Sequence, residues 1–184
     1  MLAIDPVWQA DIQQAHFRLL LDAMAYPGRC LNLKKLPKDG TVALTVLSTL
    51  LDAEVSLADP HKLLKEDDWQ MLQTKSASTD EADYILCDGS QFTNFTPKTG
   101  SLKSPEQSAT LILVVNKLGE GELKLNLSGP GIQVNQLLSV TGLAGQWLAL
   151  HEECNISFPL GVDLILIDDT QIAALPRTTK VEVL

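Results

Sequence analysis

Hydrophobic or polar positions recur at helical spacing in three segments of the first half of the chain. Apolar residues return every three to four positions across residues 7–25, and polar residues do so across residues 41–51. A third amphipathic segment begins at Asp67. Because a period near 3.6 puts one face of a helix on the core, we predict three helices. The first should end at residues 26–28, where proline and glycine interrupt helical structure.

Short apolar runs between and after these segments predict β-strands. The runs cover residues 30–33, 54–57, 84–87, 110–115, 162–167 and 171–175, with a last short strand near the end of the chain. The run 110–115 is apolar throughout, as expected of a central strand buried on both faces. The polar residues 168–170 predict a tight turn between the last two runs, and Pro176 should end the second of them.

The segment 116–153 combines further strand and helix patterns. Residues 122–128 alternate apolar and polar, which predicts a half-exposed strand joined to 110–115 by a hairpin across residues 119–121. Residues 133–140 and 144–153 are predicted as helices. The polar stretch 91–108 is predicted as a long loop, either functional or merely connecting, in which Phe92 and Phe95 cover the core or a partner surface.

Strands that alternate with helices, followed by two hairpins, indicate the α/β class. We expect one domain spanning residues 1–184, with a mixed β-sheet in a three-layer α/β/α arrangement. A chain of 184 residues is long enough to bury a sizeable core.

Composition narrows the possible partners and the compartment. The net charge of −9 gives no electrostatic footprint for nucleic acid or anionic lipid. No apolar run reaches the roughly 18 residues of a membrane span, and the first residues show no secretory signal, so a cytoplasmic protein is expected. The three cysteines, Cys30, Cys87 and Cys154, are widely spaced and are predicted to be reduced.

Candidate binding chemistry is concentrated near the last strands. Arg177, Thr178 and Thr179 place one cation and two hydroxyls at a strand end, and Asp163 interrupts an apolar strand. An arginine beside two hydroxyls suits a phosphate or a partner carboxylate. The alternatives are that Arg177 pairs with a carboxylate of this chain and that Asp163 faces water.

A glycine turn supplies a second candidate anion site. Gly129 and Gly131 flank Pro130 between a predicted strand and a predicted helix, the order in which helix N-termini bind phosphate. The turn has no lysine, and neither a Walker nor a dinucleotide pattern is present. His151 and Cys154 lie three residues apart, but no second ligand pair is spaced to complete a tetrahedral centre, so no metal site is predicted.

The C-terminal block carries a family resemblance. It contains the runs Phe-Pro-Leu-Gly-Val-Asp-Leu-Ile-Leu and Pro-Arg-Thr-Thr-x-Val-Glu-Val within residues 158–184. These runs resemble the C-terminus of the H subunit of the bacterial carbon–phosphorus lyase core complex. Residues 17–28, 109–113 and 128–132 resemble further blocks of that family in the same order, whereas residues 54–105 diverge.

The resemblance implies a fold related to the large domain of pyridoxal-phosphate-dependent transferases, without the cofactor. No lysine of this chain lies in a context suited to a Schiff base. The resemblance also implies a subunit that supports formation of α-D-ribose 1-methylphosphonate 5-triphosphate from ATP and methylphosphonate. In the family, this subunit has no assigned catalytic residue of its own.

The partners implied by the resemblance are the G, I, J and L subunits, with a homodimer when the chain is isolated. In the family, the G, H and I subunits with L attach the phosphonate to ribose C1, and J later breaks the carbon–phosphorus bond. The alternative function is an independent small-molecule anion- or phosphate-binding protein, or an enzyme, that uses the glycine turn and Arg177.

Overall fold

The structure is a computed structural model that describes residues 9–33 and 41–184. The helices of this part of the chain are α1 (Ala10–Ala25), α2 (Val42–Leu50), α3 (Glu66–Leu72) and α4 (Gly145–Cys154). The strands are β1 (Leu31–Asn32), β2 (Ser56–Ala58), β3 (Lys75–Ser76), β4 (Tyr84–Asp88), β5 (Thr110–Val114), β6 (Lys117–Ser128), β7 (Gln136–Thr141), β8 (Asp163–Ile167), β9 (Gln171–Leu175) and β10 (Lys180–Val183). The predicted helix at residues 7–25 and the predicted strand at 110–115 are thus confirmed over their described parts.

A seven-stranded mixed sheet forms the centre of the molecule. Its strand order is β1-β9-β8-β5-β4-β2-β3, with β2, β3, β4, β5 and β8 parallel to one another. Strand β9 runs antiparallel to β8, and β1 runs antiparallel to β9. The β8–β9 hairpin predicted from its polar turn is therefore confirmed.

Alternate residues of the central strands enter two separate cores. On β5, Leu111 and Leu113 lie in one core, and Ile112 lies in the other. Strand β8 divides in the same way, with Leu164 and Leu166 on one face. Both faces are buried, because helices α1, α2 and α3 cover one side and helix α4 with a small sheet covers the other. This explains why these strands are almost continuously apolar.

Helix α2 begins where the sequence provides a cap. The hydroxyl of Thr41 accepts a hydrogen bond from the backbone N–H of Leu44 at 3.1 Å, which satisfies one of the free donors at the helix start. Val46 and Leu47 of this helix are completely buried against the sheet. The prediction of a helix from the spacing of its polar residues is confirmed.

The other face of the sheet carries α4 and a three-stranded antiparallel sheet of order β10-β6-β7. Leu125 and Leu127 of β6 and Leu138 and Val140 of β7 are buried in the shared core. The α/β class with a mixed sheet is confirmed, and this second outer layer combines a helix with a small sheet.

Two predictions for this small sheet are wrong. Residues 119–121 do not form a hairpin with β5, because β6 is one long strand that pairs with β7 and β10 and has a register shift between Leu118 and Leu123. The segment predicted as a helix at 133–140 mostly forms strand β7. Its short apolar run fits either periodicity, and burial of alternate residues on the sheet decided for the strand.

The long loop at residues 91–108 covers the core. The ring of Phe92 lies 4.9 Å from that of Trp147, and the ring of Phe95 lies 5.9 Å from it. Of the two alternatives for these phenylalanines, core covering is correct. Trp147 is fully buried beneath them, and all three cysteines are free thiols.

Candidate functional site: a groove between α4 and β10

The hairpin of β8 and β9 brings Asp163 and Arg177 together. Its register pairs Leu164 with Leu175, so the first residue of β8 lies beside the residues that follow β9. The two side chains form an ion pair with 2.6 Å between Nη2 and Oδ2. They are largely buried, with exposed side-chain fractions of 16% for Arg177 and 14% for Asp163.

Arg177 uses its whole guanidinium within the chain. Nε and Nη2 donate to the Asp163 carboxylate, and Nη2 also donates to Oγ of Ser108 at 2.5 Å. Nη1 donates to the backbone carbonyls of Pro105 and Pro159 at 3.1 and 3.2 Å. Arg177 therefore ties the hairpin to the loop before β5 and to the loop before β8.

These contacts decide between the alternatives for the two residues. Asp163 does not face water, so that prediction is wrong, because the hairpin places it beside the residues that follow β9, where the Arg177 guanidinium binds its carboxylate. The pairing of Arg177 with a carboxylate of this chain is confirmed. An anion would have to displace existing hydrogen bonds, so its binding to Arg177 stays a prediction that this geometry does not favour.

The chain then crosses from the large sheet to the small one through Thr178 and Thr179. Gly129, with a φ of +133°, lets the glycine turn approach this crossing, since a Cβ there would lie 2.7 Å from the carbonyl oxygen of Thr178. Thr178 is exposed, whereas Thr179 is buried and its backbone N–H donates to the carbonyl of Pro176. Gly129 therefore lies against Thr178 and Thr179, which brings part of the second candidate site next to the first.

A groove of about 810 Å³ runs between α4 and β10 at this place. Leu148, His151 and Glu152 of α4 form one wall, and residues 177–181 and Val183 form the other. Ile156 and Phe158 lie at its rim and are 77% and 68% exposed. The groove thus combines an apolar lining with Arg177, Thr178 and Thr179 of the residues that the sequence nominated, whereas Asp163, Gly129 and Gly131 are not part of its lining.

Two residues that line the groove each carry a buried side-chain polar atom without a hydrogen-bond partner. The atoms are Nε2 of His151 and Oγ1 of Thr179, in residues that are 3% and 6% exposed. Burial lowers the pKa of His151 to about 4, against the opposing effects of Asp163 and a hydrogen bond with the Leu175 backbone. The ring is therefore neutral near pH 7.

Comparison with known proteins places the chain in a family. The profile described as "Bacterial phosphonate metabolism protein (PhnH)" matches residues 6–182. The chain belongs to the PhnH family.

Two curated relatives agree with this assignment. The chain is 45% identical over 177 residues to the "Putative C-P lyase subunit protein HtxG" of Stutzerimonas stutzeri, covering 95% of this chain and 88% of that protein. It is 31% identical over 191 residues to the "Alpha-D-ribose 1-methylphosphonate 5-triphosphate synthase subunit PhnH" of Rhizobium meliloti (strain 1021), covering 97% and 92%.

Gly131 lies apart from the groove in this PhnH family member. A Cβ at Gly131 would meet the carbonyl oxygen of Ala25, so the end of the glycine turn packs against the end of α1. Here a small hollow of about 290 Å³ is lined by Arg29 and residues 131–136. The predicted helix N-terminus is missing, so anion binding at Gly131 stays a prediction without its original physical argument.

A histidine that sequence analysis did not single out lies at the carboxyl ends of the parallel strands. His61 Nδ1 accepts a hydrogen bond from the backbone N–H of Asp88 at 2.8 Å, and Nε2 lies 2.7 Å from Oγ1 of Thr93. Because Nδ1 must keep its lone pair, Nε2 holds the ring proton and donates it to Thr93. The ring cannot act as a base toward that hydroxyl, so this pair does not make a nucleophile.

A further hollow of about 970 Å³ lies between α1, α2 and α3. Its lining includes Asp52 and Asp67 and has no basic side chain, which does not suit an anionic ligand. Across residues 9–33 and 41–184, no group of three or more His, Cys, Asp or Glu is placed to hold a metal ion. In the same ranges, no helix is long and apolar enough to cross a bilayer.

Sequence analysis predicted a last short strand but nominated none of its residues for a site, and Lys180, Val181 and Val183 of that strand line the groove. The alternation of two valines with charged residues over 180–183 was a usable signal for a strand with one apolar face. Their position opposite α4 depends on contacts between segments that are distant along the chain.

Proposed function

We propose that this protein is a subunit of a carbon–phosphorus lyase complex that supports formation of α-D-ribose 1-methylphosphonate 5-triphosphate from ATP and methylphosphonate. The observation that carries this proposal is the PhnH family match over residues 6–182. Both curated relatives bear subunit names, and each aligns with at least 95% of this chain. Since the reaction consumes ATP, we place the protein in the cytoplasm.

The role proposed for this chain within the complex is structural support and assembly. Arg177 has its donors engaged within the chain, and the His61 ring is held in the tautomer that cannot accept the Thr93 proton. Burial raises the pKa of Cys87 to about 12, so its thiolate is scarce at neutral pH. These features favour a subunit that contributes surface and shape rather than a nucleophile or base.

The partners we propose are the G, I, J and L subunits. Support comes from exposed apolar side chains beside the groove, where Ile156 and Phe158 stand next to Val183, which is 56% exposed. Exposed apolar patches of this kind favour protein contacts. The groove is the surface through which we expect the complex to form.

The test is co-purification combined with growth. A strain that lacks this gene should fail to grow on methylphosphonate as sole phosphorus source and should recover with the wild-type gene, while growth on phosphate stays normal. A tagged copy should capture the other subunits from cells grown on methylphosphonate. Normal growth of the deletion strain on methylphosphonate would refute the proposal.

The competing function, an independent anion-binding protein, has less support. Its proposed anchors are the glycine turn and Arg177. Gly129 approaches Thr178, but Gly131 packs against Ala25, and the guanidinium of Arg177 is already paired with Asp163. Calorimetric titration of the isolated protein with phosphate and methylphosphonate would reveal such an activity.

A further inference from the structure

Strand β10 presents unpaired backbone groups along one side. It is an edge strand of the small sheet, paired only with β6 among the described strands. The backbone N–H of Leu184 donates to the carbonyl of Lys124 at 2.9 Å, which fixes the residues that bond to β6. Because bonded and non-bonded pairs alternate in antiparallel sheets, the backbone N–H and C=O groups of Lys180 and Glu182 are the ones that point toward β6. The N–H and C=O groups of Val181 and Val183 therefore point away from β6.

The side chains along this free edge supply an apolar lining. Val181 and Val183 are paired in register with Leu127 and Leu125, so their side chains lie on the core face of the small sheet. Val181 packs into the core. Val183 lies on the same face of the strand and lines the groove, as does Phe158. An extended segment placed here would find backbone partners and pockets for alternate side chains together.

The charges of the groove match an uncharged occupant. Its lining contains Glu152 and Lys180, of opposite sign, and the charge of Arg177 is matched by Asp163. His151 is neutral because burial lowers its pKa. On a chain with a net charge of −9, this groove is locally balanced, so a strongly charged segment would gain no electrostatic attraction there.

Two residues of the groove lining carry unsatisfied polar atoms. Nε2 of His151 and Oγ1 of Thr179 are buried without a hydrogen-bond partner. Such atoms are rare in folded proteins, since buried polar groups are nearly always bonded. Because both atoms lie beneath the groove surface, an added segment bonds to the free backbone groups of β10 and not to them.

We propose that an extended, uncharged and mainly apolar segment of a partner subunit adds as a strand to the free edge of β10 and fills the groove against α4. The identity of the partner as another subunit rests on the proposed function. The added strand bonds to the backbone of Val181 and Val183 and places alternate apolar side chains against Val183 and Phe158.

Residue-resolved hydrogen exchange tests this geometry. The probe is the complete complex, assembled by co-expression with the other subunits, compared with the isolated protein. We expect the amides of Val181 and Val183 to exchange at least about tenfold more slowly in the complex, because only they point to the free edge. Those of Lys180 and Glu182 already bond to β6 and should change less.

The results that would overturn the strand addition differ from those that would overturn the proposed function. A complex that forms without slowing at Val181 and Val183 overturns the inference and leaves the proposed function intact. Failure of the wild-type chain to form any complex overturns both. Slowing at these amides in the isolated protein that disappears on dilution would assign the edge to a second copy of this chain and also overturn the inference.

A pair of variants at one position separates backbone from side-chain binding. Val183→Pro removes an N–H that does not bond to β6, and proline is tolerated where the N–H of an edge strand faces outward. Val183→Ala keeps that N–H and shortens the side chain. We expect Val183→Pro to weaken capture of the partner by about tenfold or more, and Val183→Ala to weaken it less. Equal capture by wild type and a folded Val183→Pro variant would exclude strand addition.

Discussion

At the scale of single residues, the Asp163–Arg177 pair is the contact whose loss has the clearest consequence. Arg177→Lys keeps the charge but cannot reproduce a planar fork that reaches one carboxylate, one hydroxyl and two carbonyls. We expect a loss of about 2–4 kcal/mol in the free energy of unfolding, measured by denaturant titration.

A matched control for this change is available at Arg29. This arginine is exposed, with its Cζ 4.4 Å from the centre of the Tyr26 ring, and it should tolerate lysine at a cost below about 1 kcal/mol. If the two arginine-to-lysine variants were equally stable, the structural role assigned to Arg177 would be wrong.

His151 should make stability depend on pH in a defined window. Burial lowers its pKa to about 4, below the ordinary value of 6.5, so the folded state disfavours the protonated ring. Its contribution is complete above pH 6.5 and is lost as the pH falls toward 4. Between pH 7 and pH 5 the loss should be about 2 kcal/mol.

The comparison that isolates this effect is wild type against His151→Gln at several pH values. Carboxylate titration contributes to both proteins and cancels in the difference. The stability of the wild type should fall more steeply over this range than that of the variant. Parallel curves would show that His151 does not carry the effect.

At the scale of elements, strand β6 depends on one glycine at its register shift. Gly121 has a φ of +149°, and a Cβ there would collide with the backbone of Val140 on β7. We expect Gly121→Ala to destabilise the protein by at least about 2 kcal/mol in thermal or chemical unfolding. Gly145→Ala is the control, because nothing lies within 4 Å of its added Cβ and alanine favours the helix.

Prediction of elements succeeded where two kinds of pattern agreed. The β8–β9 hairpin combines apolar runs with polar turn residues, and both indicate the same structure. Strand β7 was missed because its apolar residues fit a helix as well as a strand. The structure buries Leu138 and Val140 and leaves Leu137 65% exposed, a choice made by pairing with β6.

The candidate site was predictable in part. Arg177 and both threonines were nominated from residue type, and the meeting of Asp163 with Arg177 follows from the hairpin register. The groove itself requires α4 to lie beside β10, and the two elements are separated by the whole β8–β9 hairpin. Such packing is set by the assembled cores and leaves no local pattern in the sequence.

At the scale of the whole molecule, we expect the isolated protein to be a homodimer. Phe92 and Phe95 do not supply an apolar surface for this contact, because both pack toward Trp147. Other apolar side chains supply one, since Phe17 and Leu21 stand one turn apart on α1 and are 47% and 53% exposed.

Light scattering measures this state directly. A dimer should have twice the chain mass of 20.0 kDa at micromolar concentration. Phe17→Glu together with Leu21→Lys should give a folded monomer if the α1 face mediates the contact. A wild-type mass of one chain would contradict the prediction.

The pairing of β1 with β9 sets the order in which the molecule can be completed during synthesis. Leu31 pairs with Ile172, about 140 residues later, and the apolar face of α1 shares a core with that strand. A ribosome adds about 5–20 residues per second, so α1 waits roughly 7–30 s for this neighbour to be made. Nascent chains that stop short of Gln171 expose the apolar side of α1, however complete their central strands are. We therefore expect chains that stop before Gln171 to be more prone to aggregate than the finished protein.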